Sequence, residues 1–98
     1  MKRVTKKFYQ DAGHGWLAVK AKELRDLGIA DKISSCSYMK GLTVYLEEDL
    51  DAETYILAQR DAGVGVDFII NHTKFNKPSP IRSYRMYHKS YNNGVSIK

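Results

Sequence analysis

Apolar and polar residues alternate in short runs along the chain, and the period of the alternation changes from run to run. Residues 3–10, "RVTKKFYQ", set β-branched and aromatic side chains at spaced positions and predict a first strand, ending at Asp11-Ala12-Gly13 where a turn begins. "HGWLAV" resumes as a short second strand. From Lys20 to Leu27 the period lengthens: Ala21, Leu24 and Leu27 recur at helical spacing with charged residues opposite, which predicts a short amphipathic helix. Gly28 stands where a left-handed C′ residue belongs, with Leu24 and Ile29 as the apolar pair that closes a Schellman motif.

The period then shortens again. Ile33 to Met39 and Leu42 to Glu48 are strand-like runs separated by Lys40-Gly41, whose glycine supplies the positive φ of a tight hairpin turn. In the second arm Leu42, Val44 and Leu46 share one face and Thr43, Tyr45 and Glu47 the other. "DLDAETYILAQRDAG" predicts a second helix, with Asp49 or Asp51 as N-cap, acids in the first turn where the helix dipole favours them, and Gly63 as its stop. "VGVDFIINH" reads as an inner strand, and "IRSYRMYH" as a further strand after the loop "TKFNKPSP".

The order is therefore ββα-ββα-β, with a last β-strand after it. Hairpin-joined strands pair antiparallel and each helix has one apolar stripe to bury, so the expected fold is α+β: a small, mainly antiparallel sheet with two helices packed on one face. Ile33, Leu42, Val44, Leu46, Ile56, Val66, Phe68 and Ile70 are the expected core. One domain over residues 1–90 is expected, followed by a flexible tail over 91–98, where "NNG" breaks regularity.

Composition changes this picture only by exclusion. The 98 residues suffice for one modest core and not for a second domain, and 43% hydrophobic residues with two prolines argue against disorder. The single Cys36 rules out an intramolecular disulfide and a cysteine zinc site, and reads as a small buried residue in a reducing compartment. No apolar region follows the basic N-terminus, and no run approaches the length of a membrane span, so a cytoplasmic protein without a membrane partner is expected.

Charge adds more. The formal net charge is +5, but residues 1–10 carry Lys2, Arg3, Lys6 and Lys7, and residues 68–98 carry Lys74, Lys77, Arg82, Arg85, Lys89 and Lys98, with no acid in either segment. All eleven acids lie in residues 11–67, against six bases. Separated poles of this kind steer association with a charged partner.

Three places in the chain could carry chemistry. Gly13-His14-Gly15 presents an imidazole on a flexible loop, as a general base or ligand contact would. A turn in which both glycines take positive φ and His14 packs on Trp16 or a neighbouring strand is the simpler account. Glu47, Glu48, Asp49, Asp51 and Glu53 cluster as carboxylates able to hold a cation or dock a basic protein, but the spacing does not fit an EF-hand, and helix capping accounts for at least three of them. The run "IRSYRMYHKSYNNGVSIK" interleaves Arg82, Arg85 and Lys89 with Tyr84, Tyr87 and Tyr91, the cations and rings that single-stranded nucleic acid requires. As a strand it would set Arg82, Tyr84, Met86 and His88 on one face; a charge-protected edge is the alternative. His72 reads as structural. Neither a metal nor a cofactor is implied.

"DAGHGWLAV", "LGIADKIS", "SYMKG", "TVYLEEDLDAE" and "IRSY", in that order, resemble a family of small uncharacterised proteins of bacteriophages, prophages and mobile elements. The resemblance runs from about Tyr9 to Tyr84 and leaves out the basic N-terminus and the segment after Tyr87. It implies a genomic setting and no activity, and it marks His14, Trp16, Tyr38, Glu47, Glu48, Arg82 and Tyr84 as pattern positions. In that setting the expectation is a small accessory protein that binds a host protein stoichiometrically, a nuclease, polymerase or defence complex, through the acidic helix start. The alternative is a nucleic-acid-binding protein using Lys6, Lys7, Arg82, Tyr84, Arg85, Tyr87 and Lys89. With no nucleophile–base pair, P-loop, zinc ligand set or dinucleotide fingerprint, catalysis ranks third.

Overall fold

A computed structural model describes residues 2–89. Six strands form one sheet: β1 Lys2–Gln10, β2 Gly15–Lys20, β3 Tyr38–Lys40, β4 Thr43–Glu47, β5 Val64–His72 and β6 Arg85–Met86. Helix α1, Ala21–Asp26, follows β2, and helix α2, Asp51–Asp61, lies between β4 and β5. The spatial order is β5-β1-β2-β4-β3-β6. Every pairing is antiparallel except β1 with β5, which run parallel over all nine residues. The fold is thus α+β on a mostly antiparallel sheet, with both helices on one face.

Strand parity separates the faces. Registers Phe8↔Leu17↔Leu46 and Val19↔Val44↔Met39 place these side chains beneath the helices, where Leu24, Ile29, Ala52 and Tyr55 complete the core. The alternate positions, Thr5, Lys7, Tyr9, Trp16, Ala18, Lys20, Tyr38, Lys40, Thr43 and Tyr45, lie on the face that carries no helix.

Local signals set the element ends. Leu24 O accepts from Ile29 N–H at 2.9 Å and Arg25 O from Gly28 N–H at 3.0 Å, with Gly28 at φ +71, the Schellman pattern expected of this stretch. Gly63, at φ +81, follows α2 in the same left-handed conformation, its N–H donating to Arg60 O. In the β3–β4 hairpin Lys40 pairs with Thr43, so the two-residue loop is Gly41-Leu42 rather than Lys40-Gly41, with Gly41 at φ +60 in the first central position.

That shift puts Leu42 in the turn, 53% exposed, and removes it from the expected core; its carbonyl instead accepts the Ala21 N–H that opens α1. Residues 33–37 are not strand. Ile33 is buried there, while Ser34 and Ser37 turn their hydroxyls to Asp51, and Cys36 is exposed rather than buried. The largest departure is β5, which is an edge strand. Phe68 and Ile70, expected in the core, are 47% and 63% exposed. Leu17, Val19, Tyr55 and Tyr87 fill the core in their place, Trp16 and Ile81 are buried outside that cluster, and the segment after Ser79 is mainly a 3-10 turn, Pro80–Ser83, with only Arg85–Met86 in the sheet. The expected tail over 91–98 lies outside the described residues.

Candidate nucleic-acid interface

Asp11 ends β1 and holds the turn beside it. Its Oδ1 accepts from Gly13 and His14 N–H, both at 3.0 Å, and its Oδ2 from Ser79 N–H at 2.8 Å. Arg82 then closes on it with a two-pronged contact, Nε to Oδ2 at 2.6 Å and Nη2 to Oδ1 at 2.9 Å. The Arg82 guanidinium, helped by the backbone N–H groups against the cost of burial, holds the Asp11 carboxyl well below the usual carboxylate range. Hydrogen bonding to Asp11 raises Arg82 in turn.

Neither Gly13 nor Gly15 has positive φ; only Gly28, Gly41 and Gly63 do among the described glycines. A Cβ on Gly13 would press on Arg82 Nη2 at 3.0 Å, and a Cβ on Gly15 would overlap the Phe8 ring. His14 packs 6.0 Å from Trp16, centroid to centroid, and its carbonyl accepts the Asp11 N–H. It is a turn residue.

Clamped by Asp11, Arg82 lies over the Trp16 ring, its Cζ 5.5 Å from the centroid, and the chain delivers Tyr84 to the helix-free face. A row of rings results: Tyr9 to Tyr45 at 6.1 Å, Tyr45 to Tyr84 at 5.3 Å, with Lys40 Nζ 4.8 Å above Tyr84, and Trp16 to Tyr38 at 6.3 Å beside them. Burial, then proximity to Tyr84 and Tyr9, pushes the Tyr45 phenol up and keeps it neutral.

Tyr9 and Tyr45 form the wall shared by two hollows. One, of about 310 Å³, is bordered by Thr5, Lys7, Lys20 and Thr43. The other, of about 220 Å³, is bordered by Gln10, Asn71, Pro80 and Tyr84. Neither hollow has a carboxylate in its lining.

The remaining sequence candidates go elsewhere. Lys6 faces the helices, where its Nζ donates to Glu23 Oε2 at 2.7 Å. Tyr87 is a core anchor whose hydroxyl donates to Ala30 O at 2.6 Å. Arg85 pairs with Met39 in β6, and Lys89 is exposed at the end of the described segment. Of the acids, Glu47 caps the approach to α2 by accepting the Asp49 and Leu50 N–H groups. Neither Asp49 nor Asp51 is the N-cap. That residue is Leu50, and Asp51 is buried inside the first turn, its Oδ2 accepting from Ser34 N–H, Ser34 Oγ and Ser37 Oγ. Glu48, Asp49 and Glu53 stay at the surface.

Two features escaped the sequence. Asp11 carried no motif, because its partners lie up to 71 positions away. Glu23 binds Lys20 N–H, Lys6 and the Tyr55 hydroxyl, which also accepts from Gln59 Nε2. Burial opposes its ionisation, yet these donors together hold Glu23 below its ordinary range. The capping-box spacing Lys20 to Glu23 was a usable signal only for the local bond.

Compared with protein-family models, curated proteins and solved structures, the chain matches none. Among the described residues no group of three or more His, Cys, Asp or Glu could hold a metal ion, and no helix is long and apolar enough to cross a membrane.

Proposed function

We propose that the protein binds single-stranded nucleic acid on the helix-free face of its sheet. One observation carries this reading: Tyr9, Tyr45 and Tyr84 line up across β1, β4 and the segment before β6, with Lys7, Lys20 and Lys40 around them and no carboxylate in either adjoining hollow. Half-buried rings on a sheet offer stacking surfaces to unpaired bases, and lysines at their margins meet the phosphates that follow. The two hollows, one on each side of the Tyr9–Tyr45 wall, have room for successive bases. A duplex offers no free base faces to such a row, so single strands are preferred.

A stoichiometric binder of this kind suits the phage or mobile-element setting that the sequence resemblance implies. Binding of a host protein through the acidic helix start has less support: Glu47 and Asp51 are engaged within the fold, which leaves Glu48, Asp49 and Glu53 for a partner.

The test is fluorescence anisotropy with labelled single-stranded oligonucleotides of mixed sequence against the matching duplex. Expected are tighter binding of the single strand and a fall in affinity with salt, with a log–log slope of about −2 to −3 for three to four phosphates. Tyr45→Ala should weaken binding by roughly tenfold or more. Equal affinity for duplex, or a Tyr45→Ala variant that binds as the parent does, would overturn the proposal.

A further inference from the structure

Strand β5 has the composition of an inner strand and the position of an edge. Its nine residues contain no lysine and no proline, the usual devices by which edge strands resist pairing. Phe68, Ile69 and Ile70 are 47%, 52% and 63% exposed. Consecutive strand residues point to opposite faces, so Phe68 and Ile70 stand on the helix side and Ile69 on the other, beside a backbone edge that has no strand partner among the described residues. One flank is β1; on the other no strand lies among the described residues. Along the helix side of this edge runs a groove of about 480 Å³ lined by Phe8, Ile56, Leu57, Phe68 and Ile70, with the carboxylates of Glu48 and Glu53 also in its lining.

We propose that β5 pairs antiparallel with β5 of a second copy of this chain, about a twofold axis at Phe68, joining two sheets into one. A twofold contact must be self-complementary. This register sets Phe68 against itself and Val66 against Ile70 on the helix side, an apolar ladder, and Asp67 against Ile69 on the other. The strand's only carboxylate does not oppose the pairing, because Arg3 holds Asp67 through Nε and Nη2, both at 2.8 Å.

Area also favours a second copy over an added peptide. Phe68, Ile69, Ile70 and the 38% exposed Leu57 offer roughly 400 Å² of apolar side chain per copy, and strand backbone with its rim brings this towards the ~600 Å² a side at which specific interfaces begin. A lone peptide strand would cover the edge and leave the groove open. A second copy brings its own α2 alongside and closes the groove from across the axis.

Sedimentation equilibrium of the full chain across the micromolar range tests this. The expected mass approaches twice 11.2 kDa, and Ile70→Lys weakens dimerisation at least about tenfold while the circular dichroism stays that of the parent. A monomer at every concentration, or a dimer unaffected by the charge, would overturn the inference. A second variant does not depend on that one folding. Phe68→Cys in a Cys36→Ser background puts two thiols on the axis with Cα atoms about 4.5–5.5 Å apart, within disulfide reach. It should cross-link on mild oxidation, whereas Leu42→Cys in the same background, on the distant hairpin turn, should not. Absence of the Phe68→Cys cross-link, or equal cross-linking of the control, would also overturn it. Neither result bears on nucleic-acid binding, which each sheet face offers by itself.

Discussion

Asp11 accepts five hydrogen bonds from two separate stretches of chain, residues 13–14 and 79–82, and its side chain is 1% exposed. An anion so placed is stable only while every donor is present, which makes it the residue that fixes Arg82 over Trp16 and delivers Tyr84 to the row of rings. Asp11→Ala should therefore lower stability by about 2–3 kcal/mol, read by urea or thermal unfolding. Because the folded carboxyl titrates below its unfolded value, its contribution is complete above about pH 4 and is lost as the pH falls below that. Thermal melts from pH 7 down to pH 2 should show the parent losing more stability than Asp11→Ala does. Arg82→Lys keeps the charge but neither the fork nor the planar group over the ring. Trp16, 2% exposed and the only tryptophan, should report this as a red-shifted emission, with no red shift for an exposed control such as Lys89→Ala.

The elements are joined by a few contacts of short reach. The β1–β2 hairpin needs Gly15 because the Phe8 ring occupies the space of its Cβ, and Phe8 in turn packs edge-on against Phe68 of β5 at 6.4 Å. Gly15→Ala should cost about 1–3 kcal/mol through overpacking. Gly28→Ala meets nothing within 4 Å and should cost only the roughly 1 kcal/mol of a left-handed residue. Comparing the two by chemical denaturation separates packing from backbone strain. Helices α1 and α2 meet through Glu23 and Tyr55, and Tyr55→Phe strands a Glu23 oxygen and the Gln59 amide, for an expected loss of about 1–2 kcal/mol.

At the scale of the molecule, the described chain spans 39 × 38 × 18 Å, the depth of one sheet and one helical layer. Among the described residues one broad face is free of helices, and the charge of the chain is redistributed relative to its sequence. Arg3 and Lys6 of the basic N-terminus are spent on Asp67 and Glu23 of the acidic middle, while Lys7, Lys20 and Lys40 share the ring-bearing face. Lys40→Ala should reduce the salt slope of nucleic-acid binding by about 0.7, whereas Lys6→Ala should change stability before it changes the slope.

What was legible in the sequence is what neighbouring residues decide. The Schellman end at Gly28, the stop at Gly63, the positive φ of Gly41 and the alternation of β4 each depend on contacts within a few positions, so composition and period sufficed for both helices and for β1, β2, β4 and β5, but not for the bounds of β3 and β6. The sequence by itself also determined which side chains share a face within each strand, including Tyr9, Trp16 and Tyr45 on alternate positions. Only the tertiary structure decided which strands become neighbours. The parallel pairing of β1 with β5 left an apolar strand at the edge, and the clamp from Asp11 to Arg82, 71 positions apart, carried Tyr84 to the open face. Periodicity reports a residue's orientation to its own strand. Closure of long loops, decided by the summed packing and hydrogen bonding of the whole domain, sets what it faces.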